Sequence, residues 1–374
     1  MKKLLIISDS FMPRPDGVAR FLEEIIPKLS EHFSITLIAP DFAGEFSEPS
    51  EYKIIRVRLS NYSINDFPIA SFATTLIHHQ IEKADIVWIQ SLSVLGITGV
   101  RQAKKLHKPI ITFNHVIEWE IVAKSLSLPS VVKWFISIVT KRVVRTLYNQ
   151  CDVIMVPSVD VSYKLVEDGV IASQVLTPLG IDAEKFSPPK DKIASKVSLD
   201  IPPECFVIGF VGRLGREKDL PTLFRAFEEL YQTEKNIRLL IVGKGVLQES
   251  ELLIHPAVIY PGAKEQVVPY LQAMDVFVLP SLTETTSLAT VEAMACGVPV
   301  ITTNLPALRE YIVNNENGLF FPKGNAKVLK KKIQLLLMNQ TLREQLSVQG
   351  LRTVKERFSF ERAVRRIKDV LDQF

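Results

Sequence analysis

Cysteine is scarce: the chain has three in 374 residues. Cys151, Cys205 and Cys296 are far apart in sequence and each lies beside an apolar run. That spacing excludes a local Cys-x-x-Cys metal or redox motif and leaves buried free thiols in a reducing compartment. Long apolar runs are missing too. None approaches the roughly 20 residues that span a bilayer. Leu4 to Ile7 is cut short by Ser8-Asp9-Ser10, too early for a signal-peptide core. The expectation is a cytoplasmic protein, peripheral on the inner face of the cell membrane where it touches membrane at all. Repeats and low-complexity segments are absent. Charge of one sign is barely in excess, at +4, which gives no argument for a nucleic-acid partner but allows a local basic patch. The chain has neither an Asp-x-Asp pair nor a Gly-x-Gly-x-x-Gly loop.

What is present is ordinary for a globular protein: 47% hydrophobic and 23% charged residues. The length admits two domains of about 100–200 residues each. Short apolar strand-like runs alternate with helical segments. Leu4 to Ile7, Ser34 to Ala39, Ile54 to Leu59, Asp85 to Gln90, Pro109 to Phe113 and Asp152 to Val156 form one series. Phe206 to Val211 restarts it. This alternation predicts doubly wound parallel sheets of the α/β class. Ser187 to Pro203 carries four prolines and a run of lysines and reads as the linker.

Pro280 to Gly318 organises the rest. Asp275 to Leu279 is a strand ended by Pro280 and Ser281. Thr283, Thr285, Thr286 and Ser287 suit a helix N-cap, Leu288 to Cys296 a helix, and Gly297 and Pro299 its end. Glu284 and Glu292 flank that helix start with seven residues between them. Ligands of open parallel sheets bind at the carboxyl ends of strands, where helix N-termini favour a diphosphate. Carboxylates beside such a site suit a ligand that also has sugar hydroxyls, as a nucleotide sugar does. An ordinary strand–helix unit with solvent-facing glutamates accounts for the same residues equally well.

Glu284, seven residues, then Glu292-Ala-Met-Ala-Cys-Gly-Val-Pro-Val resembles the donor-site signature of retaining glycosyltransferases of family four, which have the GT-B fold. Asn317-Gly318-Leu319 and Glu310 are similar to the distal part of that signature. Thr285-Thr286-Ser287 stands where the family often has Gly-Phe-Gly; this departure leaves the sugar open and resembles the lipid-glycosylating, diacylglycerol glucosyltransferase-like branch. The resemblance covers nearly the whole chain. It implies two Rossmann-like domains facing across a cleft: residues 1–186 for the acceptor, 187–355 for the nucleotide sugar, and a helix at 356–374 returning to the first domain.

The remaining site residues follow in chain order. Asp16-Gly17-Val18, after the first strand, resembles the family's Gly-Gly-Val loop, which would put Gly17 near donor phosphate and acceptor; a turn glycine explains it equally well. His115, at a strand's carboxyl end, can hydrogen-bond a sugar hydroxyl, and family members commonly have a functional His there. Arg213 and Lys218, after the first strand of the second series, can neutralise a diphosphate leaving group, and the family has its Arg and Lys there. The Gly243–Gly245 turn approaches a nucleobase or is merely a turn.

Ile121 to Cys151 has no acidic residue but includes Lys124, Lys133, Lys141, Arg142 and Arg145. Within it, Ser130 to Tyr148 reads as a helix. At about 100° per residue, Lys133, Trp134, Lys141, Arg145 and Tyr148 share one face, opposite Val132, Phe135, Ile136, Val139 and Val143. The basic, aromatic face suits an anionic membrane surface. A solvated helix packing its apolar face on the sheet is the alternative.

The resemblance thus implies a retaining hexosyltransferase. Arg213 and Lys218 would stabilise the leaving diphosphate, amides of Thr286, Ser287 and Leu288 would assist, Glu284 would take hydroxyls of the sugar, Glu292 those of the ribose, and His115 and Gly17 would line the reacting side. The cations serve the diphosphate, so no metal or other cofactor is expected. UDP-glucose is the expected donor, with GDP-mannose its rival, and a membrane lipid the expected acceptor. A polysaccharide or sugar-phosphate acceptor is the alternative, and a GT-B-fold epimerase or nucleotide-sugar sensor the reading outside transferases.

Overall fold

The computed structural model describes residues 1–14, 16–64, 67–115, 129–247 and 251–374. Two compact units divide the chain: Met1–Pro178 with Glu361–Phe374, and Leu179–Phe360. The first unit is built on a sheet that, among the described residues, has the order β3-β2-β1-β6-β7-β8-β9. Its strands are β1 (Lys3–Ile7), β2 (Ser34–Pro40), β3 (Lys53–Val57), β6 (Ile86–Ile89), β7 (Ile110–Phe113), β8 (Val153–Val156) and β9 (Ser173–Leu176). All pair in parallel. Leu59–Ile64 and Phe67–Ala70, here β4 and β5, form a separate antiparallel ribbon.

The second unit repeats the plan with the order β12-β11-β10-β13-β14-β15. Here β10 is Phe206–Val211, β11 Ile237–Val242, β12 Val258–Gly262, β13 Val276–Leu279, β14 Val300–Thr303 and β15 Leu319–Phe321, again all parallel. Every residue of β10 is buried. A parallel strand covered by helices on both faces needs such a continuous apolar run.

Each sheet has one switch point. After β1 the chain adds β2 and β3 on one side, then returns to lay β6 on the other. After β10 it adds β11 and β12, then lays β13 on the opposite side. The crevice at the carboxyl ends of such a strand pair is where open α/β sheets take ligands. The segments that meet there are Ser8–Ser10 with Gln90–Ser91 in the first unit, and Gly212–Lys218 with Pro280–Glu284 in the second.

Several expectations are refined. The units divide at 178/179 and 360/361, where the sequence pattern suggested 186/187 and 355/356. Ile181 and Phe186 are the cause: both are buried in the core of the second unit, and Ile181 bridges to Ser359. The expected linker contains a helix, Lys192–Val197, capped by Asp191 through the amides of Ile193 and Ala194. Its Lys196 is buried against Asp275 at 2.7 Å. Prolines on either side hid that helix in the sequence.

Ser130–Tyr148 is helical as expected, but its packing differs. Val144, Leu147 and Tyr148 are the buried side chains, so the helix is anchored by its last turn. Tyr148 therefore leaves the expected exposed face, and its hydroxyl accepts a hydrogen bond from Asn114 Nδ2 at 2.7 Å. Lys141 pairs with Asp168, and Arg145 packs on Gly169. Val131, Val132, Trp134, Phe135, Ile138, Val139 and Val143 are all exposed instead. The apolar stripe faces outward, with the exposed Arg142 among its residues. Lys124 lies outside the described residues. No helix among the described residues is long and apolar enough to cross a membrane.

Candidate functional site

In the second unit the loop after β10 makes a tight path. Gly212, Gly243 and Gly245 all have φ near +150°, a region that favours glycine. A Cβ on Gly243 would lie 1.8 Å from the Gly212 carbonyl oxygen. The loops after β10 and β11 therefore touch backbone to backbone. Arg213 comes next, its side chain partly exposed, and a 3₁₀ turn, Arg216–Lys218, follows. The Gly243–Gly245 turn thus has a steric reason of its own.

Lys218 reaches across to the loop after β13. Its Nζ lies 2.5 Å from Glu284 Oε1. The Ser281 hydroxyl donates to the same oxygen at 2.7 Å. The Leu282 amide donates to the Glu217 carbonyl at 2.8 Å, and Arg213 pairs with the Glu217 carboxylate. Arg213, Lys218 and Glu284 are thereby brought together at the switch point.

The helix Leu288–Ala295 starts beside this cluster. Ser287, its N-cap, is in the left-handed region at φ 68° and makes no side-chain cap; its hydroxyl instead meets that of Thr290 at 2.8 Å. The Ser287 carbonyl accepts from Thr290 and Val291. The amides of Leu288 and Ala289 meet no acceptor among the described residues. Open amides at a helix N-terminus can take an anion. Thr286 is held from below, because the Tyr311 hydroxyl donates to its carbonyl at 2.6 Å. Burial, with Glu284 adding, pushes the Tyr311 phenol well above its usual range. Asn317 fixes the Tyr311 segment by accepting from the Val313 amide and donating to the Tyr311 carbonyl and Thr353 hydroxyl. Glu292 is buried just over a turn into the helix. Burial, with Glu292 adding, raises the Cys296 thiol to about 12.

The first unit treats its switch point differently. There the corresponding helix, Val94–Lys105, has its N-terminus filled by the chain's own carboxylate. Asp9 accepts from the amides of Leu95 at 3.0 Å and Gly96 at 3.2 Å, and from the Ser91 hydroxyl at 3.2 Å. Asp16 likewise caps Gly17–Ser30 through the amides of Val18 and Ala19. Gly17 sits at that helix start with nothing within 4 Å of a built Cβ. His115 stacks on Phe113 with ring centroids 4.4 Å apart, meets Phe21 edge-on at 5.0 Å and contacts the Gln90 amide. Burial lowers its pKa to about 3, so the ring is neutral at physiological pH. Gly17 and His115 thus belong to a different unit from the Lys218–Glu284 cluster. Of the two corresponding helix N-termini, the one in the first unit meets a carboxylate of the chain, and the one in the second unit meets none on its Leu288 and Ala289 amides among the described residues.

Comparison with known proteins agrees with this division. Residues 15–185 match the family described as Glycosyltransferase Family 4, and residues 191–352 match Glycosyl transferases group 1. The chain is a family-four glycosyltransferase.

This glycosyltransferase is similar to the capsular polysaccharide biosynthesis glycosyltransferase CapM of Staphylococcus aureus, 28% identical over 61% of this chain and 62% of that protein. It is 25% identical to the alpha-monoglucosyldiacylglycerol synthase of Streptococcus pneumoniae over 84% of this chain and 74% of that one. In fold it resembles Anabaena Alr3699/HepE, solved in complex with UDP-glucose, with a TM-score of 0.80 and 16% identity over the whole of both chains. The GT-B assignment, with two parallel-sheet Rossmann-like units, is thereby established. The glycosyltransferase is a hexosyltransferase that uses a nucleotide sugar.

Glu217, Ser281 and Tyr311 hold this site together, and sequence reasoning did not single them out for it. Tyr311 follows Glu310, and Glu217 precedes Lys218, so adjacency to the motif was the available signal.

Proposed function

We propose that this glycosyltransferase moves a glucosyl group from UDP-glucose to a hydroxyl of a membrane lipid with retained configuration, while resting peripherally on the inner face of the cell membrane. The observation that carries the donor half is the Lys218–Glu284 pair beside the open amides of Leu288 and Ala289.

The donor's diphosphate lies on those amides, with the amides of Thr286 and Ser287 alongside. Arg213 and Lys218 face it. When the bond from the sugar carbon to the phosphate oxygen breaks, negative charge grows on the leaving diphosphate. Preorganised cations and dipoles stabilise that charge without reorganising. Glu284 takes hydroxyls of the transferred sugar and Glu292 those of the ribose. The acceptor hydroxyl attacks from the leaving-group face, and its proton passes to the departing phosphate oxygen, which accounts for retention without a protein nucleophile. In this reading the two cations do the neutralising work, so no metal is required. His115 and Gly17 serve the acceptor side. A neutral imidazole there donates or accepts a hydrogen bond rather than adding charge.

The acceptor half rests on the helix Ser130–Tyr148. A monomer seldom exposes so continuous an apolar stripe without a use for it, and the exposed Arg142 on it suits anionic lipid. The likeness to a protein named as a diacylglycerol glycolipid synthase supports the same reading. The likeness to CapM favours a second one, a saccharide acceptor.

The test is transfer of radiolabel from UDP-glucose, and separately from GDP-mannose, to anionic lipid in mixed micelles, with Glu284→Ala as control. Label entering the organic phase with the wild type only supports the proposal and identifies the donor. Label moving only to soluble saccharides overturns the lipid acceptor, and donor conversion without any acceptor points to an epimerase.

A further inference from the structure

Arg213 and Glu217 make an unequal pair. The guanidinium side chain is 37% exposed and the carboxylate side chain 6%. The buried member is held on several sides. Its carboxylate lies over Gly215, where a Cβ would be 2.3 Å from both carboxylate oxygens. Its own carbonyl accepts from Leu282, two residues before Glu284. Lys218, the next residue, pairs with Glu284. Asp219 then turns the chain in the left-handed region at φ 46° into the helix Leu220–Tyr231. Glu217 is therefore fixed to the body of the unit, while Arg213 is a long side chain on a loop.

We infer that Glu217 is a positioning residue for the transfer: its buried carboxylate aims the Arg213 guanidinium, and its carbonyl sets the spacing between the loop carrying Arg213 and Lys218 and the loop carrying Glu284. This rests on the reading of Arg213 as a diphosphate ligand. A guanidinium is a rigid planar fork, so holding one edge sets the direction of its other donors. Half-exposed ion pairs add little stability, so holding that direction is what the pair contributes. The arrangement also holds the Arg213 guanidinium before the donor arrives, so less ordering remains for the moment of binding.

Two measurements test this. The first is transfer kinetics of Glu217→Gln, Arg213→Ala and the double variant. Glu217→Gln keeps the side chain's shape and the carbonyl bond to Leu282. Its kcat falls about ten- to a hundredfold with little change in donor KM or in the thermal midpoint. In the Arg213→Ala background the same substitution changes kcat no further. A loss that persists at the same factor without Arg213, or no loss in the single variant, overturns the inference. The second measurement is independent of catalysis: nitrogen NMR of the Arg213 guanidinium, assigned by its disappearance in Arg213→Ala. Its side-chain rotation is slow in the wild type and fast in Glu217→Gln. Equal rotation in both overturns the positioning role, even where Arg213→Ala leaves turnover intact and it is the diphosphate reading that fails.

Discussion

Lys218 Nζ lies 2.5 Å from Glu284 Oε1, although 66 positions separate them. The contact joins the loop after β10 to the loop after β13, the two segments that meet at the switch point of the second sheet. An exposed ion pair would mean little, but this one is largely buried. It stands beside the open amides of Leu288 and Ala289. Cation, carboxylate and helix N-terminus together offer one place for phosphate and one for hydroxyls, which is what a nucleotide sugar presents.

Asp9 makes the first unit sensitive to pH. Burial raises its carboxyl from 3.8 to about 6, against the opposing hydrogen bonds from Leu95, Gly96, Ser91 and Ser93. The folded state therefore holds that proton more tightly than the unfolded chain does. Stability from this group is fully present below pH 4 and is lost as pH rises through 6, by about 3 kcal/mol. Asp9→Asn does not titrate. The difference in unfolding free energy between wild type and Asp9→Asn should shift by that amount between pH 4 and 7. A constant difference would show that Asp9 is not desolvated as described.

His115 should remain neutral wherever the enzyme works. Its ring, packed between Phe113 and Phe21, is held down to about 3. Nitrogen shifts of that imidazole are expected to be constant from pH 5 to pH 8. A titration centred near 6.5 would make it a candidate acid instead.

Gly243 and Gly17 should respond differently to alanine. At Gly243 the new Cβ meets the Gly212 carbonyl, and φ is 149°. Gly243→Ala is expected to cost about 3 kcal/mol or more in denaturant titrations, as overpacking with backbone strain does. At Gly17 nothing lies within 4 Å. Gly17→Ala should leave the thermal midpoint in place and lower transfer. An active Gly17→Ala protein would reduce that glycine to a turn residue.

The organising motif was legible in the sequence because it is local. The two glutamates, the N-cap run and the terminating Gly297 lie within one strand–loop–helix unit. The bounds of Ser130–Tyr148 were legible for the same reason. Which side of that helix packs was not, since periodicity shows which residues share a face but not what covers it. Among the helix's described residues the buried side chains are Val144, Leu147 and Tyr148 in the last turn, and the apolar stripe stays outside. Asp9 read as a break in an apolar run; its partner Leu95 is 86 residues on, beyond any local pattern. The ribbon of Leu59–Ile64 and Phe67–Ala70 and the helix inside the expected linker were missed because turn residues and prolines crowd around short elements.

The outward stripe gives a direct prediction. Trp134 and Phe135 are 65% and 62% exposed. Replacing both by Ser should leave the thermal midpoint unchanged and abolish flotation with phosphatidylglycerol vesicles. Retained flotation would move the membrane contact elsewhere on the chain.

The most direct measurement is steady-state transfer by Arg213→Ala and Lys218→Ala across a range of donor concentrations. If the two cations act on charge that develops as the sugar leaves, kcat falls about 10²–10³-fold while donor KM changes little. A rise in donor KM at unchanged kcat would mean ordinary ground-state binding, and wild-type kinetics in both variants would contradict the site itself.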